Sequence, residues 1–206
     1  MQLSFDAFDN SNNLLPYNGE LMYVDNCLGA DKANYFFEKL LNGIHWEHDE
    51  FHMYGKKVIS KRKVAWYGTK NFDYGYSGIH RKARPWNKDL LELKTIVEDE
   101  SQDTYNACLL NLYHSGLEGM GWHSDNEKEL KSGATIASIS LGSPRKFSFK
   151  HIKTKETVSL TLQHGSLLLM KGSIQQHWLH QLPKTKKSNS PRINLTFRTI
   201  LEKSGD

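Results

Sequence analysis

The chain has few cysteines, few prolines and no long apolar run. Cys27 and Cys108 are its only cysteines, which excludes a disulfide framework and a multi-cysteine zinc site. A reducing compartment is the expected setting, cytoplasmic in a bacterium and nuclear in a eukaryote. No apolar stretch approaches the roughly 20 residues that span a bilayer, so no membrane association is expected. Met1 to Asn10 carries Asp6 and Asp9 but no basic residue, and neither a secretory nor a transit peptide is expected. No internal repeat occurs, and no linker long enough to divide two domains. With 206 residues, one domain (1–206) with a substantial core is expected, acting as a monomer. Charge of one sign is also scarce. The 27 basic residues against 23 acidic ones leave +4, which permits a polyanionic partner without demanding one.

What is present divides into two textures. In the first, Glu20 to Val24 reads as a short strand. Asp31 reads as the N-cap of a helix with Phe36, Phe37, Leu40 and Leu41 on its apolar face, ended by Gly43. Two extended pieces follow around Gly55, then the basic run Lys61-Arg62-Lys63 and an aromatic stretch with Phe72, Tyr74 and Tyr76. Pro85 and Trp86 open a second helix, with Trp86, Leu90, Leu93 and Val97 at helical spacing. From Asn106 the chain turns to short strands: Ala107–Tyr113, Ala134–Leu141, Arg145–Lys150, Val158–Leu162, Ser166–Met170, His177–Leu182 and Arg192–Ile200. That spacing favours a sandwich or barrel over βαβ units. The expected fold is α+β, mainly β, with N-terminal helices packed on an antiparallel core.

Met120-Gly121-Trp122-His123-Ser124-Asp125 places an imidazole and a carboxylate two positions apart, which in an extended segment share a face. Two histidines and a carboxylate on one face of an octahedron form the usual site of a non-heme Fe(II) oxygenase. For the third ligand the chain offers His164, His177 and His180. His177 and His180 fall on opposite faces of a strand, and His180 would neighbour the Arg192 strand if the chain folds back on itself. That strand alternates Ile193, Leu195 and Phe197 with Arg192, Asn194, Thr196 and Arg198. The two arginines lie roughly 20 Å apart along it, a gap suited to a short dicarboxylate gripped at both ends. Asn111 and Tyr113 share a face in the same way.

Asn111-Leu112-Tyr113, His123-Ser124-Asp125, His177-Trp178-Leu179-His180 and Pro191 to Arg198 resemble the AlkB family of Fe(II)- and 2-oxoglutarate-dependent dioxygenases. The similarity runs from about Trp46 to Leu201 and is greatest to the DNA-repairing animal members. It implies a double-stranded β-helix (jelly-roll) core over 106–201, preceded by an extension and nucleotide-recognition lid over 1–105. It implies His123, Asp125 and His180 as ligands of Fe(2+), and Asn111, Tyr113, Arg192, Asn194, Thr196 and Arg198 around 2-oxoglutarate, with O2 as co-substrate. The implied activity is oxidative demethylation of N-alkylated bases in DNA, releasing succinate and formaldehyde. RNA demethylation, protein hydroxylation and non-catalytic binding of alkylated bases are the alternatives. By the same resemblance Tyr54, Gly55 and Lys56 are a base-flipping finger. Tyr74, Gly75, Tyr76 and Ser77 form a substrate lid. Trp66 is a further substrate-binding candidate, and Arg62, Lys56, Lys57 and Lys63 are candidate phosphate contacts or else a solvated basic face. Asn126 stands where related enzymes carry an acidic base-contacting residue, so Glu127 is expected to supply the missing charge.

Overall fold

The computed structural model describes residues 13–53, 56–70, 73–76 and 79–201, with only the backbone described for 51–53, 56–57, 73–76 and 79–81. The strands are β1 (Glu20–Val24), β2 (Glu47–Met53), β3 (Lys56–Gly68), β4 (Asp73–Tyr76), β5 (Ile79–Lys82), β6 (Arg84–Pro85), β7 (Ala107–Tyr113), β8 (Met120–His123), β9 (Ile136–Gly142), β10 (Arg145–His151), β11 (Thr157–Leu162), β12 (Ser166–Lys171), β13 (Trp178–Leu182) and β14 (Arg192–Arg198). The helices are α1 (Ala30–Gly43), α2 (Lys88–Ser101) and the single turn α3 (Ile174–His177).

The strands form a major sheet in the order β1-β12-β9-β14-β7-β3-β2, with β6 beside β3, and a minor sheet in the order β11-β10-β13-β8. A separate hairpin pairs β4 with β5. The two main sheets make the expected jelly-roll core. Strand β14 shows why this chain needs two layers. Ile193, Leu195 and Phe197 are fully buried in a cluster with Phe36 and Leu40 of α1 and Leu90, Leu93 and Val97 of α2. Its opposite face is polar yet equally hidden: Arg192, Thr196 and Arg198 are all buried. A polar strand face closed off from water must find partners inside the protein, and that face lines the site described below. A second cluster, with Leu21, Ile136, Phe149, Leu168 and Trp178, fills the space between the sheets.

Several sequence expectations shift. Helix α1 begins after Gly29, whose φ of 71° turns the chain without a side-chain cap, and Asp31 lies in the first turn, where a negative charge suits the helix dipole. Helix α2 is capped by Asn87, whose side-chain oxygen accepts the Leu90 N–H at 2.8 Å. Pro85 therefore belongs to β6, and Trp86 precedes the helix and stacks on Phe197. His177 ends α3 rather than lying in a strand. Strand β13 pairs with β10 and β8, not with the Arg192 strand, which lies in the other sheet. Strands β1 and β3, from the first 105 residues, join the major sheet beside β12 and β7. Among the described residues no helix is long and apolar enough to cross a membrane.

Candidate metal and co-substrate site

His123 ends β8 and stands directly across from His180 on β13, bringing their rings within 4.3 Å. The chain leaves the strand after His123, so strand alternation does not aim Asp125. Two partners hold it instead: its backbone N–H donates to Gln175 Oε1 at 2.9 Å, and its carboxylate accepts from Arg198 Nη2 at 2.9 Å. One ligand atom from each of His123, Asp125 and His180 then lies within 4.8 Å of the others. The other candidate histidines are occupied elsewhere. His164 accepts the Gly142 N–H, and His177 stacks on His151.

The electrostatics suit a divalent cation. His123 Nδ1 sits 2.8 Å from the Gly121 carbonyl, so Nδ1 carries the proton and Nε2 keeps its lone pair for a metal. Burial holds His180 down to about 3, against the raising influence of Asp125. Burial alone pushes the Asp125 carboxyl up, but its charged neighbours, the Arg198 guanidinium foremost, outweigh it and leave it below its ordinary value. Two imidazoles and one carboxylate are the donors ferrous iron takes. A buried neutral histidine also has a consequence for the metal-free protein. The unfolded chain binds a proton at His180 near 6.5, the folded one only near 3. Stability should therefore fall as pH drops through that window, by up to about 1.4 kcal/mol per unit. Urea midpoints measured at about pH 7.5 and 5 should show this, and His180→Gln should flatten the slope. An equal slope in both proteins would refute the assignment.

Strands β14 and β7 carry the polar patch beside the metal ligands, with Arg192 opposite Tyr113 and Asn194 opposite Asn111. Arg192 donates through Nη2 to Ser140 Oγ at 2.9 Å, and its guanidinium lies 5.6 Å from the centre of the Tyr113 ring. Its buried Nε has no partner among the described residues. Burial pulls Arg192 down to about 10, which still leaves it charged near neutral pH. Arg192 lines the pocket, and a buried cationic side chain with donor capacity to spare suits a carboxylate ligand.

The other residues of the patch differ from a symmetrical clamp. The Asn194 amide donates to Ser138 Oγ and the Ile139 carbonyl and accepts from Thr196 Oγ1, so it braces the strands. Arg198 is engaged by Asp125 and lies 3.7 Å from Glu127. Both arginines line the same pocket, and Arg198 also holds the metal carboxylate.

All of these groups line one pocket, with Met120, Phe147 and Leu182 as an apolar wall. Glu127 lines it too, but Asn126 is exposed and borders a neighbouring groove. Arg62 turns inward to Asp49 and Asn111 rather than outward toward a phosphate. Trp66 is buried against Ala83, Ala107 and Ile200. Tyr54, Gly55 and Ser77 lie outside the described residues, as do the side chains of Lys56, Tyr74 and Tyr76; Gly75 is placed in β4 by its backbone. Sequence reasoning missed Asp49 and Gln175. Asp49 sits at an irregularity of the β2–β3 pairing, and Gln175 on a one-turn helix, neither of which a periodic pattern marks.

A two-histidine, one-carboxylate face inside a jelly roll, with a buried cationic donor beside it, defines a non-heme metal oxygenase site. Residues 20–198 match the family described as the 2OG-Fe(II) oxygenase superfamily. The chain is 40% identical to the DNA oxidative demethylase ALKBH2 of Mus musculus, over 72% of this chain and 66% of that protein. It is 35% identical to the alpha-ketoglutarate-dependent dioxygenase alkB homolog 3 of Bos taurus, over 82% and 62%. With the DNA oxidative demethylase ALKBH2 of Arabidopsis thaliana it shares 30% identity, over 91% and 68%. The solved structure of OsALKBH1 has the same fold, with a TM-score of 0.64 at 17% identity over 87% of this chain and 97% of that one. The chain belongs to the 2OG-Fe(II) oxygenase superfamily and, within it, to the AlkB family. It spans just under two thirds of the length of the mouse relative, 66%.

Proposed function

We propose that this protein repairs N-alkylated bases of the 1-methyladenine and 3-methylcytosine type in DNA, using Fe(II), O2 and 2-oxoglutarate. The observation that carries this is the convergence of His123, Asp125 and His180 with the buried guanidinium of Arg192 on one pocket. Two of the relatives named above are DNA oxidative demethylases, which directs the reading to DNA.

When bound, iron with O2 and 2-oxoglutarate supplies oxidation of the N-methyl group, with succinate, CO2 and formaldehyde leaving. The chain's part is to hold and orient. His123, Asp125 and His180 offer three donors on one side of the metal. Arg192 would take a carboxylate of the co-substrate, with Asn111, Tyr113 and Thr196 holding it beside the metal ligands. Arg198 keeps the Asp125 carboxylate aimed and ionised. Met120, Phe147 and Leu182 keep water from the reacting centre. Glu127 offers negative charge to a cationic base, which must leave the helix stack to arrive there. Tyr54, Gly55, Lys56, Tyr74, Gly75, Tyr76 and Ser77 are the proposed nucleotide-handling segment. The protein works as a monomer in an intracellular compartment.

Incubation with Fe(II), 2-oxoglutarate and methylated DNA, RNA or peptide, followed by mass analysis, tests the reading. Methyl loss from DNA coupled to succinate is the expected result. Turnover confined to RNA or peptide overturns the substrate, and no consumption of 2-oxoglutarate overturns the chemistry.

A further inference from the structure

We infer that Arg62, braced by Asp49, is a positioning residue for the co-substrate: it fixes the Asn111 side-chain amide so that its nitrogen end faces the ligand. The inference rests on the 2-oxoglutarate reading above and assigns a cause to one part of it. An asparagine amide is nearly symmetrical in shape but opposite in hydrogen-bonding character at its two ends. Turned one way, Asn111 would present a donor to a carboxylate; turned the other, it would present an oxygen that repels it.

The guanidinium settles the choice because it has only donors. Arg62 Nη1 meets the Asn111 amide, so the atom it meets must be Oδ1, and Nδ2 is the end left to the pocket. No protein partner takes Nδ2 among the described residues. The facing amide, Asn194, is already committed to Ser138, Ile139 and Thr196. Nδ2 therefore waits for an acceptor, and an anionic oxygen is the ligand class that fits.

Arg62 is itself held firmly. Its Nη2 donates to Asp49 Oδ2 at 2.7 Å, with side-chain exposures of 11% and 9%. Asp49 is aimed by the irregular pairing between His48 and Glu50, where its N–H donates to Ser60 Oγ at 3.1 Å. Ser60 Oγ donates in turn to the Arg62 carbonyl at 2.7 Å. Two charged side chains from β2 and β3 thus exist at the pocket wall to orient one neutral amide on β7.

The test is a double-mutant cycle on 2-oxoglutarate affinity, read by calorimetry with Mn(II) in place of iron so that no turnover is needed. Arg62→Met and Asn111→Ala should each weaken binding about tenfold, the scale of one hydrogen bond to a charged group. The double variant should be no weaker than either single one. Arg62→Lys, which keeps a donor-only head, should retain most of the affinity, and binding of a methylated oligonucleotide should not change in Arg62→Met. Because Arg62→Met removes one partner of the Asp49 carboxylate, the same cycle is run in an Asp49→Asn background to separate misfolding from lost orientation. Losses that multiply in the double variant, or an Arg62→Met protein that binds 2-oxoglutarate normally, overturn the inference and leave the function reading standing. Wild-type protein that binds no 2-oxoglutarate overturns both.

Discussion

Replacing Asp125 with alanine should abolish turnover and destabilise the metal-free protein at once. The carboxylate is one of three metal donors, and it is also the partner of Arg198, at 2.9 Å and with only 5% of the Arg198 side chain exposed. Removing one member of a buried ion pair strands the other charge, at a cost of about 3–5 kcal/mol. Glu127, 3.7 Å from the same guanidinium, lowers that cost without cancelling it. Metal affinity should fall by more than about 100-fold, beyond the usual effect of losing a supporting residue. Mn(II) calorimetry and urea denaturation of the metal-free protein read the two effects separately. Undiminished Mn(II) affinity would sink the metal site, and an unchanged urea midpoint would sink the Asp125–Arg198 pairing.

Arg192→Met has an effect of similar size on a different quantity. Arg192 brings a buried cationic side chain to the pocket lining, and two charge-assisted bonds to a carboxylate correspond to roughly 100-fold in affinity. The KM for 2-oxoglutarate should rise by about that factor, while kcat at saturation stays close to normal, because Arg192 touches no metal ligand. Methionine fills much of the space and removes a buried cation, so stability should change little. Arg198→Met should behave oppositely: kcat collapses, because Asp125 loses the group that aims it. A steady-state comparison of the two variants decides the matter. Equal losses of kcat in both would refute the division of labour between the arginines.

Much of this site was legible in the sequence because its residues sit on regular strands. The alternation Arg192, Asn194, Thr196, Arg198 puts four polar groups on one face of β14 whatever the fold, and the same holds for Asn111 and Tyr113 on β7. The polar face of β14 also implied a buried site, once a strand with one greasy and one polar side is placed between helices and a second sheet. The helices were legible for the same reason. Leu90, Leu93 and Val97 recur at helical spacing, and all three are fully buried. The capping of the helices was not, because Asn87 rather than Pro85 begins α2, and side-chain capping is decided by local geometry that composition leaves open.

The sequence alone determined the inventory of the site and its polarity: imidazoles and a carboxylate suited to a metal, with arginines and amides alternating along neighbouring strands. Tertiary structure decided who meets whom. It set His180 against His123 through the β13–β8 register, and gave Arg198 to Asp125 while leaving the Arg192 Nε without a partner among the described residues. It also turned Arg62 from a surface charge into the partner of Asp49 and Asn111. Alternation along one strand is a local property of the chain. Register between strands far apart in sequence is not, because it is set by the packing of the two sheets against each other and against the helices.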